Sequence, residues 1–173
     1  MNAHDGIGTS AAGDRTAIHA ATQRKKTIQA FQEQVTVFKY LSPVECRVMY
    51  TLTTKKHYDG GDVILSEGAP GNGLHIIETG EVVVSKRRSD GKDVVINTIG
   101  QYAHFGEMSI LNNQPANCTI TASGPVDVLI MPPTQFFNLL HRSEALGIKI
   151  LRALCEELSN RLRQGEELAE TTS

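Results

Sequence analysis

The chain has 173 residues and a formal net charge of −2. That length suits one domain with a proper core and a modest extension, and the near-neutral balance excludes a basic surface built for direct nucleic-acid binding. Its longest apolar runs, such as Val126–Met131 with Asp127 inside it, are too short to span a bilayer, and no secretory signal is visible; a cytoplasmic, non-membrane protein is expected. Three scattered cysteines, Cys46, Cys118 and Cys155, read as reduced thiols.

Residues 1–25 begin small, polar and glycine-rich, which predicts a mobile tail. Residues 26–56 read as N-terminal helices. Ile28, Phe31, Val35 and Phe38 recur at three- and four-residue spacing and make one apolar face, with Arg24, Lys25 and Lys26 on the solvated side. Ser42-Pro43-Val44-Glu45 is a helix start, with a serine cap, proline at the first helical position and glutamate three residues on. The helix it opens is expected to turn Val44, Val48 and Leu52 inward.

From residue 57 to 131 the period shifts towards two, with glycines punctuating every eight to twelve residues. Residues 63–65, 74–77, 81–85, 94–96 and 126–130 read as strands, and Asp90-Gly91 is a hairpin signal. Many short strands joined by such turns predict an α+β protein, an antiparallel, jelly-roll-like β-roll flanked by N-terminal and C-terminal helices. Pro132 and Pro133 end the last strand, and residues 132–165 read as C-terminal helices: a short one through Phe136, Phe137 and Leu140, then a longer one from about Ser143, stopped at Gly165. Residues 166–173 are then a tail. Leu151, Leu154, Leu158 and Leu162 form a stripe on the long helix, suited to covering the roll or to pairing with a second copy as a homodimer.

The stretch that carries chemistry is Phe105-Gly106-Glu107-Met108-Ser109-Ile110-Leu111, followed by Pro115-Ala116-Asn117-Cys118-Thr119-Ile120. Gly106 lets backbone approach a ligand, the next residues can form a helical turn whose first N–H groups attract an anion, and Glu107 is an acceptor suited to a sugar hydroxyl. This pattern resembles the phosphate-binding cassette of the cyclic nucleotide-binding domain family, which includes the catabolite activator protein and the regulatory subunits of protein kinase A. The phrase around Phe38 and Leu41–Glu45, and the glycines at Gly61, Gly68, Gly71 and Gly80, match the same family. The resemblance spans about residues 38–163 and implies a ligand site made by Ile96, Phe105, Gly106, Glu107, Met108, Ser109, Ala116, Asn117 and Cys118. Glu107 would hold the ribose hydroxyl, the Gly106–Ser109 backbone the phosphate, and Ile96 the base; Asn117 is a substitute donor.

Ala116 departs from the pattern, because the family carries an arginine there for the cyclic phosphate. Removing one partner of such a partly desolvated charge pair costs about 2–5 kcal/mol, roughly 30-fold to several thousand-fold in affinity. Two readings follow. The first is a non-enzymatic sensor that binds cyclic AMP or cyclic GMP and biases a separate effector protein. The alternative is a degenerate domain that serves as an interaction scaffold or takes another nucleotide, such as a cyclic dinucleotide. No helix-turn-helix fits after residue 163, so no DNA-reading half is expected. His75 with Glu78 and His104 with Glu107 lack the tight His-x-His element of a cupin metal centre, and neither a metal, a resident cofactor nor a catalytic triad is expected.

Overall fold

The computed structural model describes Thr22 and residues 28–171. The tail read at residues 1–25, with Arg24, Lys25 and Lys26, therefore falls outside the described residues apart from Thr22.

Residues 28–34 form helix α1, and a 3-10 turn, Thr36–Phe38, follows. Ile28, Phe31, Val35 and Phe38 are all buried, as their spacing predicts. Helix α2, Pro43–Thr51, begins with the expected reciprocal cap: Glu45 N–H donates to Ser42 Oγ at 3.3 Å and Ser42 N–H donates to Glu45 Oε2 at 2.7 Å. Its inward face differs from expectation. Val44 and Val48 face solvent, while Cys46 and Met49 are buried and Leu52 packs at the edge of the core. The Leu/Val spacing and the Cys/Met spacing are both helical, and the docking of α2 beside α1 selects the second.

Eight strands follow: β1 Thr54–Tyr58, β2 Val63–Leu65, β3 Leu74–Thr79, β4 Val82–Arg87, β5 Asp93–Ile99, β6 His104–Phe105, β7 Thr119–Ala122 and β8 Val126–Met131. They make two antiparallel four-stranded sheets, ordered β1-β8-β3-β6 and β2-β7-β4-β5. The roll starts at Thr54 rather than residue 57, because Thr54, Lys55 and Lys56 pair with Ile130, Leu129 and Val128. Helix α3, Glu107–Leu111, lies in the connection from β6 of the first sheet to β7 of the second.

The first sheet is covered on both faces. On β3, Leu74 and Ile76 face the helices while Ile77 faces the roll interior; on β8, Leu129 and Met131 face the helices while Val126 and Val128 face inward. Two apolar clusters result. One joins Phe31, Met49, Phe136, Ile150 and Leu154 from the helices to that outer face, and the other fills the roll with Ile64, Leu65, Val82, Ile120 and Ala122. Strand alternation is what assigns successive residues to different cores.

Helix α4, Pro133–Arg142, leads into α5, Glu144–Thr171, whose first turn is held by Leu146 N–H donating to Ser143 Oγ at 3.4 Å. The predicted stop at Gly165 does not occur, so residues 166–171 continue the helix instead of forming a tail. A helical glycine costs about 1 kcal/mol, and the good helix formers on both sides of Gly165 (Arg161–Gln164 and Glu166–Ala169) outweigh it. The leucine stripe is divided: Leu154 is buried, Leu158 half-buried, and Leu151 and Leu162 are exposed. The buried face of α5 runs instead through Leu146, Ile150, Ala153 and Leu154.

Candidate functional site

Strand β6 aligns Phe105 opposite His75 of β3, and their rings stack at 4.7 Å. The chain then turns into α3 at Gly106 with φ +84°, which an L side chain rarely adopts. Space demands glycine as well, since a Cβ there would stand 2.5 Å from Gly73 O and 2.9 Å from His75 Nδ1. Gly71 meets the other side of α3, where a Cβ would fall 2.5 Å from Ser109 Cβ. These two close approaches fix the turn against the roll, and no side chain caps its start.

Glu107, the first residue of α3, is only 2% exposed. Its Oε1 accepts a hydrogen bond from Arg161 Nη1 of α5 at 2.9 Å, and Arg161 Nη2 donates to His104 O at 3.2 Å. Its Oε2 is buried without a hydrogen-bond partner, as are both ring nitrogens of His104. Burial pushes the Glu107 carboxyl up from the usual carboxylate range, although the Arg161 guanidinium pulls it down. Burial lowers His104 to about 3 and His75 to about 4, so both rings are neutral at ordinary pH.

Among the residues expected to make the site, Phe105, Gly106, Glu107 and Ser109 are brought to one corner of the roll, with Met108 at its exposed edge. Ala116 packs in the roll's apolar cluster with Phe105 and Ile120, and Cys118 borders that cluster. Asn117 is exposed. Ile96 is 59% exposed on the edge strand β5, where the register slips between Val84↔Asn97 and Ser85↔Val95, so it falls out of the paired row. Cys118 is not an activated thiol: burial raises it, Glu107 and Glu67 push the same way, and Lys86 and Arg161 pull it down.

Arg161 is a site residue with no signal in the local sequence. It stands 54 positions from Glu107 and reads locally as the solvated flank of a leucine stripe, paired with Glu157 at 3.2 Å. His75 lies on the strand expected at residues 74–77 and stands against Gly106, and His104 lies on the short strand β6; both are buried. Two further ties hold α5 to the N-terminal elements. Lys149 donates to Glu45 at 2.9 Å, and Glu156 is held by Lys39, Tyr40 and Arg152, whose hydrogen bonds pull its carboxyl down to about 2. A shallow surface concavity of about 430 Å³ lies along α5 between Cys155, Ser159 and Arg163, and includes none of the cassette.

Comparisons with known proteins agree with this geometry. Residues 55–143, 89 of the 173, match the family model of the cyclic nucleotide-binding domain. Similar sequences include a cAMP-dependent protein kinase regulatory subunit of Yarrowia lipolytica, 28% identical over 118 residues and covering 68% of this chain and 31% of that one. One of Neurospora crassa is 26% identical over 132 residues, covering 76% and 34%. The chain thus spans about a third of the length of these relatives. Among solved structures, a cyclic nucleotide-binding domain from Methylobacillus flagellatus superposes with a TM-score of 0.76 at 28% identity, covering 84% of this chain and 85% of that one. The Thermus thermophilus catabolite activator protein shares the fold, with a TM-score of 0.70 at 21% identity and coverage of 78% and 62%. A roll of this topology, a glycine turn locked against it and a buried glutamate at the head of α3, together with the family match over more than half its length, place the chain in the cyclic nucleotide-binding domain family.

Proposed function

We propose that the chain is a regulatory sensor whose cyclic nucleotide site is gated by its own C-terminal helix. The observation that carries this reading is Glu107, a nearly fully buried carboxylate with one oxygen unpartnered and its acidity weakened by burial despite Arg161. A group kept ionisable at such a cost serves stability poorly and serves a ligand that needs an acceptor well. A ribose hydroxyl would donate to that free Oε2 and, by drawing the carboxylate's charge and position towards itself, compete with the Arg161 bond to Oε1. Arg161 is carried by α5, so its release would loosen the helix between Glu156 and Arg163 while Lys149–Glu45 and the buried Ile150 hold its first half.

The relatives' name, cAMP-dependent protein kinase regulatory subunit, supports cyclic AMP as the ligand and a separate protein as effector. On this reading the chain acts in the cytoplasm, without catalysis, metal or resident cofactor, and without touching nucleic acid or membrane; no described helix is long and apolar enough to cross a bilayer. The exposed Leu162 and Ile148 on α5 support a homodimer through that helix.

A second reading is favoured by Ala116, which is 4% exposed within the apolar cluster and offers no cation. The domain would then be a scaffold whose site is closed by Arg161, or would take a different nucleotide such as a cyclic dinucleotide. Isothermal titration with cyclic AMP, cyclic GMP and a cyclic dinucleotide separates the readings, with Ala116→Arg run alongside. Micromolar binding of cyclic AMP or cyclic GMP by the unmodified chain is expected for a sensor. Binding only by Ala116→Arg would reveal a retained pocket without its charge and favour the scaffold.

A further inference from the structure

The inner face of the second sheet is apolar along β4 for two positions, Val82 and Val84, and then carries a lysine at the third, Lys86. Alternation along a strand returns every second residue to the same face, so Lys86 continues this row where β4 runs out into exposed residues. The register places it. Val84 pairs with Ile120 and Ser85 with Thr119 across β7, so the next step sets Lys86 beside Cys118, two residues from Ala116. Cys118 itself borders the inner cluster with Val84, which confirms which face this is.

Lys86 makes no ion pair or hydrogen bond among the described residues, whereas the next residue, Arg87, is bonded to Asp93 at 3.1 Å. Around Cys118 the cations that act on the thiol are Lys86 and Arg161, and Arg161 is already committed to Glu107 and His104. An uncommitted ammonium thus stands across the strands from the cassette segment, which carries no cation at Ala116. A purely solvating lysine, with its stem along apolar surface and its head in water, accounts for the exposure of Lys86 and not for its place in the inward row.

We propose that Lys86 supplies, from β4, the positive charge that the cassette lacks at Ala116, meeting the anionic phosphate of a bound cyclic nucleotide. This rests on the sensor reading and adds to it a residue that determines affinity. Because Lys86 is exposed, its contribution is strongly screened by salt, unlike that of a desolvated arginine. An ammonium is also a point charge without the fork that reads two oxygens at once, so the site is tolerant of phosphate orientation.

The test is titration of the full chain with cyclic AMP and cyclic GMP at low and high salt. Lys86→Gln, Lys86→Arg and the double variant Lys86→Gln/Ala116→Arg are compared with the unmodified protein, and thermal midpoints verify that each is folded. Lys86→Gln is expected to weaken binding about ten-fold or more and to flatten its salt dependence, since each tenfold corresponds to about 1.4 kcal/mol. Lys86→Arg retains binding within a few-fold, and Ala116→Arg restores it in the Lys86→Gln background. Equal affinity and equal salt dependence for Lys86→Gln and the unmodified chain would overturn the role of Lys86 while leaving the sensor reading intact. Failure of the unmodified chain to bind either nucleotide would overturn both.

Discussion

The two apolar clusters of this molecule are built to different standards. The one beneath the helices closes around Phe31, Phe38, Met49, Phe136 and Ile150, all at 1% exposure or less, and is made of hydrophobic side chains throughout. The one inside the roll borders the cassette corner, where His75 Nε2 and Glu107 Oε2 are buried without a hydrogen-bond partner, and where His104, put on the helix-covered side of that corner by its pairing with Ile76, leaves both ring nitrogens unpartnered. Each such atom costs about 1–3 kcal/mol relative to a satisfied one. On the proposed sensor reading, the orphaned polar atoms at the cassette corner are kept for a ligand.

The largest effect is expected in the helix-covered cluster. Phe136→Ala removes a side chain with no exposure and should cost about 3–5 kcal/mol in chemical denaturation. A loss under about 1 kcal/mol would mean that the helices are loosely docked, and the contrast between the two ends would fail.

Acid should attack the cassette end first. His75 and His104 titrate at about 4 and about 3 in the fold, below the ordinary value near 6.5 that the unfolded chain retains. Their contribution is fully present above pH about 6.5 and is lost as pH falls towards the folded values, at up to about 1.4 kcal/mol per unit for each ring. Between about pH 6.5 and 5.5 the two together remove about 2 kcal/mol. Glu107 acts in the opposite sense: its raised pKa gives stability present below the carboxylate range and lost as pH rises. Urea midpoints from about pH 7.5 to 5 measure the sum, and His104→Phe should flatten the profile by one ring's share. An unchanged profile in that variant would remove His104 from the account.

Gly106→Ala is expected to cost about 1–3 kcal/mol for its left-handed backbone, with the overlap on Gly73 O displacing α3 and abolishing ligand binding. Smallest of all is Glu107→Gln. It removes a carboxylate that burial already disfavours, so stability should change by under about 1 kcal/mol while nucleotide affinity is lost. A large destabilisation there would make Glu107 a structural ion pair, and the distinction between the ends would disappear.

Much of this fold is legible in the sequence, and what is not has physical causes. The strands β2, β3, β4, β5 and β8, the reciprocal cap at Ser42 and Glu45, and the cassette itself rest on local patterns of alternation, capping and glycine placement. The start of strand β1 is hidden because Thr-Lys-Lys-His-Tyr is an edge strand with four exposed residues and no alternation to see. Val44 and Val48 look like the inward face of α2 because two helical spacings coexist there and only tertiary docking chooses between them. Arg161 is invisible for the strongest reason: its partners are 54 and 57 residues away, and nothing in its neighbourhood distinguishes it from a solvated helix flank.

The most direct test of the account is the affinity of Arg161→Ala for cyclic AMP, measured by titration beside the unmodified chain. If Arg161 and the ribose hydroxyl compete for Glu107, removing the guanidinium lifts the competition and the variant binds several-fold more tightly. Weaker or unchanged binding by a folded Arg161→Ala would show that the arginine belongs to the bound state, and the gate assigned to α5 would be contradicted.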